Sequence, residues 1–312
     1  MNYKIFENPN IGDNPILFAA WPGIGDVGIN AVNFLIKQLN AKPFAELKSQ
    51  EYFYPHSTFI ENNVIKEVYF PKNIFYSKQY KNKNFIFFTG EQQLPINVEL
   101  PAEQNPAYKM ANDILDLVEK FGCKRIYTSG ATFSLIHHSM NTNITYGTDN
   151  HFFSAELGSI LGFNRLPHTI FEGNFIGGMN GILPLAAIDR NLEAGVLLGN
   201  VPIYLQNIQI PYPKATKTIV EAFTKIYKLD IDTKPLDEEV ENFSKKIEEI
   251  MGKFTSAMPT EIRRSIFSGI NKLKKRNSKT TKTKNNLTIN DVKQAINDIE
   301  EFFKKENNDE IQ

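Results

Sequence analysis

The chain has 312 residues, of which 41% are hydrophobic and 12% aromatic, so it can bury a core in one large domain or two ordinary ones. Lysine plus arginine and aspartate plus glutamate each number 35, so no net charge recruits nucleic acid, a membrane surface or an acidic partner. The single cysteine excludes an intramolecular disulfide and a cysteine-clustered zinc site. With no signal-peptide pattern and no window of roughly 18 apolar residues, we expect a soluble, cytoplasmic protein that makes no contact with membranes.

The sequence PILFAAWPGIGDVGINA contains the first recognisable unit of the chain, a strand and a helix joined by a glycine-containing turn. An apolar strand at 16–21 precedes it, and residues 29–39 place apolar side chains at helical spacing. Between them, Gly23, Gly25 and Gly28 spell G-x-G-x-x-G, the pattern that holds a dinucleotide at the start of a helix.

Three features weaken the dinucleotide interpretation. Pro22 lacks a backbone donor, Asp26 puts a negative charge where a pyrophosphate would lie, and a β-rich stretch follows where a βαβ unit would continue. Glu46 has the spacing of a ribose-binding acid but lies in no convincing second strand. The pattern favours glycines that allow a tight turn and close packing of helix on sheet, and we predict no cofactor.

The middle of the chain alternates strand and helix patterns. Residues 43–71 carry aromatic and β-branched residues around the sequence ENN, which predicts strands joined by a tight turn and no helix. A buried strand is predicted at 84–94, and Pro106 opens a helix that ends at Gly122, before a strand at 123–133.

The next segment is predicted to begin with a polar loop at 134–150 and a short helix at 152–161. The residues that follow predict a strand at 168–175, a glycine-rich turn, a helix at 182–194 and a strand at 194–202. The glycines of this second turn, also interpreted as structural, are Gly177, Gly178 and Gly181. The repeated strand–helix–strand order predicts an α/β fold with helices packed on a sheet.

The composition changes after Pro213, where all patterns become helical. We predict an α/β core at 1–232, a helical extension at 233–273, a flexible basic linker at 274–286 and an amphipathic helix at 287–306. No aromatic residue interleaves the basic charges of the linker, so a solvated tether is favoured over a nucleic-acid site. The last helix would present its stripe to a partner or a sister subunit. That stripe consists of Ile289, Val292, Ile296, Ile299 and Phe303.

Ligands of open α/β sheets bind beyond the carboxyl ends of the strands, so a small-molecule cleft is predicted there. The residues predicted to line it are Asp26, Glu91, Gln92, Thr132, Glu172 and Asn174.

The sequence offers two other candidate sites, and it favours neither. A metal could use His137, His138, Asp149 or His151, but adjacent histidines on an extended chain point to opposite faces, so no metal is predicted. Cys123 lies beside basic residues, but a cysteine that enters a buried strand is usually an apolar filler.

The blocks PGIGDVGINAVNFLIKQL and GGMNGILPLAAIDRNLEAGVLLGNVPIY, with the strand–helix–strand order between them, resemble the proteasome assembly chaperone 2 family of archaea and bacteria. The resemblance covers roughly residues 15–230. It implies a phosphorylase/hydrolase-like, three-layer α/β core with a mixed sheet, to which the C-terminal helices are an extension, and a homo-oligomer. Some archaeal members end in a hydrophobic-tyrosine-any tail that docks into proteasome α-rings, whereas Ile311 is the penultimate residue here.

The sequence therefore predicts a non-enzymatic, homo-oligomeric protein-binding or assembly factor, whose partner is a proteasome-like or other protein complex. The alternative is an enzyme of phosphorylase/hydrolase-like or carboxylate-amine ligase type with its cleft at the strand ends. A third interpretation, nucleic-acid binding by the basic linker, would predict binding that weakens steeply with salt.

Overall fold

The computed structural model describes residues 2–256, apart from 10, 56, 95–100, 102–103, 135, 162–175 and 207–209, and beyond them residue 271. Its strands are β1 (Tyr3–Ile5), β2 (Ile16–Ala20), β3 (Lys42–Leu47), β4 (Ser57–Glu61), β5 (Val64–Tyr69), β6 (Asn73–Tyr80), β7 (Lys83–Gly90), β8 (Arg125–Ser134), β9 (Ile144–Thr148) and β10 (Glu193–Pro202). Its α-helices are α1 (Val27–Leu39), α2 (Pro106–Lys120), α3 (His151–Leu161), α4 (Met179–Asp189), α5 (Pro213–Tyr227) and α6 (Lys234–Ser256).

One mixed sheet of eight strands organises the fold, in the order β1-β3-β6-β7-β2-β8-β10-β9. The four strands β7, β2, β8 and β10 are parallel, and antiparallel strands flank them on both sides. Strands β4 and β5 pair only with each other, in a separate two-stranded sheet. The predicted α/β fold with a mixed sheet is confirmed.

Helices cover both faces of the sheet, so strand β2 is buried on both sides. Phe18 and Ala20 pack into one hydrophobic cluster, with residues of α1 and α5, while Leu17 and Ala19 pack into the other, with residues of α2 and α4. A strand covered on both faces has no polar side to show, which is why residues 16–20 form a continuous apolar run. The predicted three-layer arrangement is therefore confirmed.

The centre of the first cluster is aromatic. The ring of Phe223 on α5 stacks on that of Phe18, with 4.3 Å between centroids and 5° between planes. The ring of Tyr127 meets Phe223 edge to face at 6.1 Å. Helix α6, in the predicted extension, adds Leu236, Phe243 and Ile247 to the same cluster.

Helix predictions agree with the structure at α2, which begins at Pro106, and at α3. The amide nitrogen of Ala107 donates to the Asn105 side chain, which caps α2. The helix predicted at 182–194 instead begins at Met179 and ends at Asp189, because Glu193 already belongs to β10.

The predicted loop at 134–150 was wrong in part, because it contains β9. The segment was predicted as a loop because it is polar overall. Strand β9 is specified by its antiparallel pairing with β10, in which Tyr146 lies opposite Leu197.

Residues 43–71 form strands joined by a tight turn, as predicted, and Asn62 and Asn63 adopt φ angles of 51° and 61° in that turn. No helix was expected in this segment, but Ser49–Glu51 forms a short 3-10 helix.

The strand predicted at 168–175, the basic linker and the helix at 287–306 lie outside the described residues. None of the helices that the structure describes is both long enough and apolar enough to cross a bilayer.

Replacing Phe223 with Ala should lower the free energy of unfolding by about 3–5 kcal/mol, because it leaves a cavity between the sheet and α5. The same change at Phe152, which is 90% exposed, should alter it by no more than about 0.5 kcal/mol. Chemical denaturation of both variants measures the difference, and equal effects would contradict the packing described here.

Candidate functional site

A cavity of about 550 Å³ opens at the carboxyl edge of the parallel strands. Its walls are the turn at 22–26 between β2 and α1, Phe133 of β8, Val201 of β10, and the segments 205–206 and 210–212. This is the edge at which ligands of open α/β sheets bind.

The glycine-containing turn forms one wall. Gly25 and Asp26 both have left-handed backbone angles, φ 56° and 48°. The amide nitrogen of Tyr212 donates to the carbonyl oxygen of Gly25 at 2.9 Å, and a methyl group added to Gly25 would lie 2.9 Å from the Tyr212 Cβ. Gly25 thus joins the turn to the start of α5 in a geometry that a side chain would strain.

Gly28 brings the first turn of α1 against the backbone of β8. A methyl group there would lie 2.1 Å from the carbonyl oxygen of Ser129 and 2.9 Å from the amide nitrogen of Gly130. Gly23 differs from Gly28, because its backbone is extended and a methyl group would meet nothing within 4 Å. The G-x-G-x-x-G pattern therefore contains glycines in unequal environments.

The residues that line the cavity are mostly apolar in type, but polar atoms contribute somewhat more of its exposed surface than apolar atoms do, and one carboxylate is among them. Asp26 supplies it and is half-buried at the start of α1, where its side chain makes no capping hydrogen bond. Burial raises the pKa of the Tyr212 phenol, so that group stays neutral at physiological pH. Among the described lining residues, Asp26 carries the only formal charge. The site fits a group that combines hydrogen-bonding atoms with an apolar part and places a cationic or hydrogen-bond-donating end toward Asp26.

The structure places the other predicted cleft residues at different points of this edge. Thr132 lies beside Phe133 near the end of β8, opposite Asn200 of β10. The carboxylate of Glu91 accepts a hydrogen bond from the amide nitrogen of Lys72 at 2.9 Å and another from the Tyr69 hydroxyl. Glu91 therefore links the end of β7 to the end of β5. Gln92 is exposed, and Glu172 and Asn174 lie outside the described residues.

Gln93, which the sequence analysis missed, joins two of the turns. Its Nε2 atom donates to the carbonyl oxygen of Pro22 at 2.8 Å, and its Oε1 atom accepts from the amide nitrogen of Met179 at 2.9 Å. One amide side chain thus connects the turn after β2 with the start of α4, which follows Gly178 at φ 70°. Its neighbour Gln92 was predicted to line the cleft instead, because residue spacing alone does not show which of two adjacent side chains turns inward.

The adjacent histidines do not lie on an extended chain. The rings of His137 and His138 are 4.1 Å apart, both residues are buried, and His138 Nε2 lies 3.0 Å from Glu248 Oε1 on α6. His138 lies in a turn, so the prediction that the two side chains point to opposite faces was wrong. Even so, the described residues contain no cluster of three or more His, Cys, Asp or Glu side chains suited to a metal ion.

Cys123 is buried, and its thiol donates to the carbonyl oxygen of Arg125 at 3.4 Å. Burial raises the pKa of the Cys123 thiol to about 12, although backbone hydrogen bonds oppose the shift. The thiolate is the nucleophilic form, so this cysteine is unreactive at neutral pH.

A three-layer α/β core with a mixed sheet and a cavity at its carboxyl edge defines the class of fold. The sequence matches the PAC2 family over residues 17–251, so the chain belongs to this family, and the predicted resemblance is confirmed. It is 25% identical over 254 residues to an uncharacterized protein of Methanocaldococcus jannaschii, covering 79% of this chain and 89% of that protein.

Two solved structures from Pyrococcus furiosus are similar. PbaB, an archaeal proteasome activator, is 28% identical with a TM-score of 0.65, covering 80% of this chain and 97% of PbaB. PbaA, an archaeal homolog of proteasome-assembly chaperone, is 22% identical with a TM-score of 0.56, covering 80% of this chain and 96% of PbaA. The PbaA match shows a shared fold.

The unequal environments of the glycines can be tested with alanine. Gly28→Ala should lower the free energy of unfolding by about 2–3 kcal/mol or more, because α1 must move away from β8. Gly23→Ala should change it by no more than about 0.5 kcal/mol and serves as the matched control. Thermal and chemical denaturation measure both, and a destabilised Gly23→Ala beside a neutral Gly28→Ala would contradict this account.

Proposed function

We propose that this protein is a non-enzymatic, homo-oligomeric assembly factor that binds a proteasome or a proteasome-like protein complex in the cytoplasm. The observation that carries the proposal is the 28% identity to PbaB, an archaeal proteasome activator, in an alignment that spans 97% of PbaB. Membership of the PAC2 family supports the same assignment.

The chemistry of the cavity favours binding over catalysis. General acid–base or nucleophilic catalysis requires a group near the operating pH with a positioned partner. Among the described lining residues, the ionisable groups are Asp26 and Tyr212, and burial raises the pKa of Tyr212. A lining of mixed polar and apolar surface beside one carboxylate is suited to a segment of another protein that offers both apolar and hydrogen-bonding groups.

The test is to capture the tagged full-length chain from its native cells and identify the bound proteins by mass spectrometry. Proteasome subunits should be enriched over an untagged control, and the purified chain and proteasome should then co-elute in size-exclusion chromatography. Enrichment of no proteasome subunit and no co-elution would overturn the proposal.

The second candidate is an enzyme or small-molecule binder, and the cavity at the carboxyl edge favours it. Its ligand would carry a protonated amine toward Asp26 and an apolar body toward Phe133. Phosphate groups are disfavoured there, because the Asp26 carboxylate occupies the start of α1, where a helix would otherwise attract an anion.

Asp26→Asn tests this candidate, because asparagine tolerates the left-handed backbone while the charge is removed. If the cavity binds amines, members of a primary-amine panel should raise the thermal midpoint of the wild type, and the variant should bind them about 10- to 100-fold more weakly, as expected when a hydrogen bond to a charged group is lost. ATP and NAD should leave the wild-type midpoint unchanged. A shift with ATP, or amine binding that survives in the variant, would contradict the role given to Asp26.

A further inference from the structure

Helix α6 carries the chain to the edge of the sheet at which the cavity opens. Before the helix begins, the amide nitrogen of Asp230 donates to the Tyr80 hydroxyl at 3.2 Å, and Tyr80 pairs with Lys83 at the opposite edge, where β7 begins. Further along the helix, the ring of Phe243 meets the ring of Tyr212, a residue of the cavity wall, at 5.1 Å. The helix therefore runs toward the carboxyl edge of the parallel strands.

A second contact holds the later part of α6 at the same edge. The Nε2 atom of His138, which follows the end of β8, lies 3.0 Å from Oε1 of Glu248. The Nδ1 atom of His138 lies 2.8 Å from the hydroxyl of Tyr204, which is next to Leu205 of the cavity wall. Helix α6 ends at Ser256, beyond Glu248, so the chain leaves this helix on the cavity side of the molecule.

The cavity contains a carboxylate whose charge is not balanced. Asp26 is half-buried, its side chain does not cap α1, and no hydrogen bond or ion pair of the described residues involves its carboxylate. The described lining residues include no lysine, arginine or histidine. A carboxylate that is partly removed from water loses hydration, and a cation beside it offsets that loss. A positively charged occupant would therefore stabilise the cavity.

The surface of the cavity indicates which kind of cation fits. Polar atoms contribute somewhat more of the lining surface than apolar atoms do, although Phe133, Val201 and Leu205 provide apolar walls. A lysine side chain suits such a surface, because its four-carbon stem packs on apolar atoms while its ammonium group pairs with a carboxylate. Small hydroxyl and amide side chains next to the lysine would form hydrogen bonds with the polar atoms. The cavity thus fits a lysine-rich polar segment better than a hydrophobic one.

The basic linker at 274–286 has this composition. Its sequence, KKRNSKTTKTKNN, contains six basic residues and no acidic residue, and every other position is threonine, serine or asparagine. It concentrates positive charge in a chain whose basic and acidic residues are equal in number, 35 each. The linker also lies beyond residue 251, where the match to the PAC2 family ends, so it is an addition to the family core.

The linker can reach the cavity from the end of α6. At about 1.5 Å per residue, Ser256 lies about 20 Å along the helix from Phe243, which contacts the cavity wall. Residues 257–273 would span roughly 20–25 Å as a random coil, or about 25 Å as a helix. A tether of this length gives the linker an effective concentration in the millimolar range. Even a weak pair between a lysine and a partly exposed carboxylate is then populated.

We propose that the basic linker occupies the cavity of its own chain, with a lysine ammonium group paired to the carboxylate of Asp26. The stem of that lysine packs along Phe133, and the neighbouring threonines meet the polar part of the lining. The inference goes beyond the proposed function, because it assigns the cavity an occupant from within the chain. A partner segment or a small-molecule amine gains access to Asp26 only by displacing the linker.

Carbodiimide cross-linking of the full-length protein, followed by mass spectrometry, tests the contact, because this reagent joins a carboxylate to an amine without a spacer. Asp26 should cross-link to lysines of the linker, and the yield should fall at high salt. The control is Asp13, an exposed carboxylate outside the cavity, which should give at least about tenfold less of the product. Mixing isotopically labelled and unlabelled chains should show that the linkage forms within one chain. Equal yields at Asp13 and Asp26, or linkage only between chains, would overturn the inference.

Binding of the free peptide KKRNSKTTKTKNN measures whether the cavity is already occupied. A full-length variant with the six basic linker residues changed to glutamine should bind this peptide about three- to tenfold more tightly than the wild type, because no tethered competitor remains. Adding Asp26→Asn to that variant should weaken binding about tenfold, whereas adding Asp13→Asn should not change it. Isothermal titration calorimetry measures the affinities, and circular dichroism shows whether each variant is folded. Equal affinity for the wild type and the glutamine variant, binding that survives Asp26→Asn, or no binding to either would each contradict the proposal.

Both measurements use the purified chain, so they are separate from proteasome capture. A chain that shows no linker contact but captures proteasome subunits overturns this inference and leaves the proposed function standing. A linker contact in a chain that captures no proteasome subunit supports the inference and overturns the proposed function.

Discussion

The contact between the first turn of α1 and the backbone of β8 sets the geometry around the site. It exists because residue 28 has no side chain, so that the helix begins directly over Ser129 and Gly130. The turn just before α1 carries Gly25, whose carbonyl oxygen accepts from the amide of Tyr212 and so fixes the start of α5. Helix α5 then brings Phe223 onto Phe18 at the centre of the core. Two glycine contacts, at Gly28 and Gly25, therefore orient two helices and a wall of the cavity.

Local sequence signals predicted the parts of the fold that local physics controls. Pro106 marks the first residue of α2, and the two asparagines after β4 adopt the left-handed angles of a tight hairpin turn. Strand β9 escaped prediction because its five residues lie within a polar, turn-rich stretch and its pairing with β10 is made across about fifty residues of chain. Local propensity carries no information about a partner that distant.

The candidate site was predictable in location but not in detail. Asp26 and Thr132 were predicted because they follow or end strands, and both lie at the edge where the cavity opens. Asp26 lines the cavity itself, as does Phe133, the neighbour of Thr132. The same reasoning could not show that Glu91 turns toward Tyr69 and Lys72, or that Gln93 rather than Gln92 turns toward the glycine-containing turn. Spacing places a residue at the end of a strand, but the hydrogen-bond partners that orient its side chain come from other segments.

The segment 91–93 connects the hairpin, the cavity and α4. Glu91 holds the end of β5, and Gln93 holds Pro22 at the cavity rim and Met179 at the start of α4. Gln93 holds both segments with a single amide group, donating through Nε2 and accepting through Oε1. Loss of that side chain would therefore release the turn after β2 and the start of α4 together, whereas the hydrogen bonds of Glu91 to Tyr69 and Lys72 would remain.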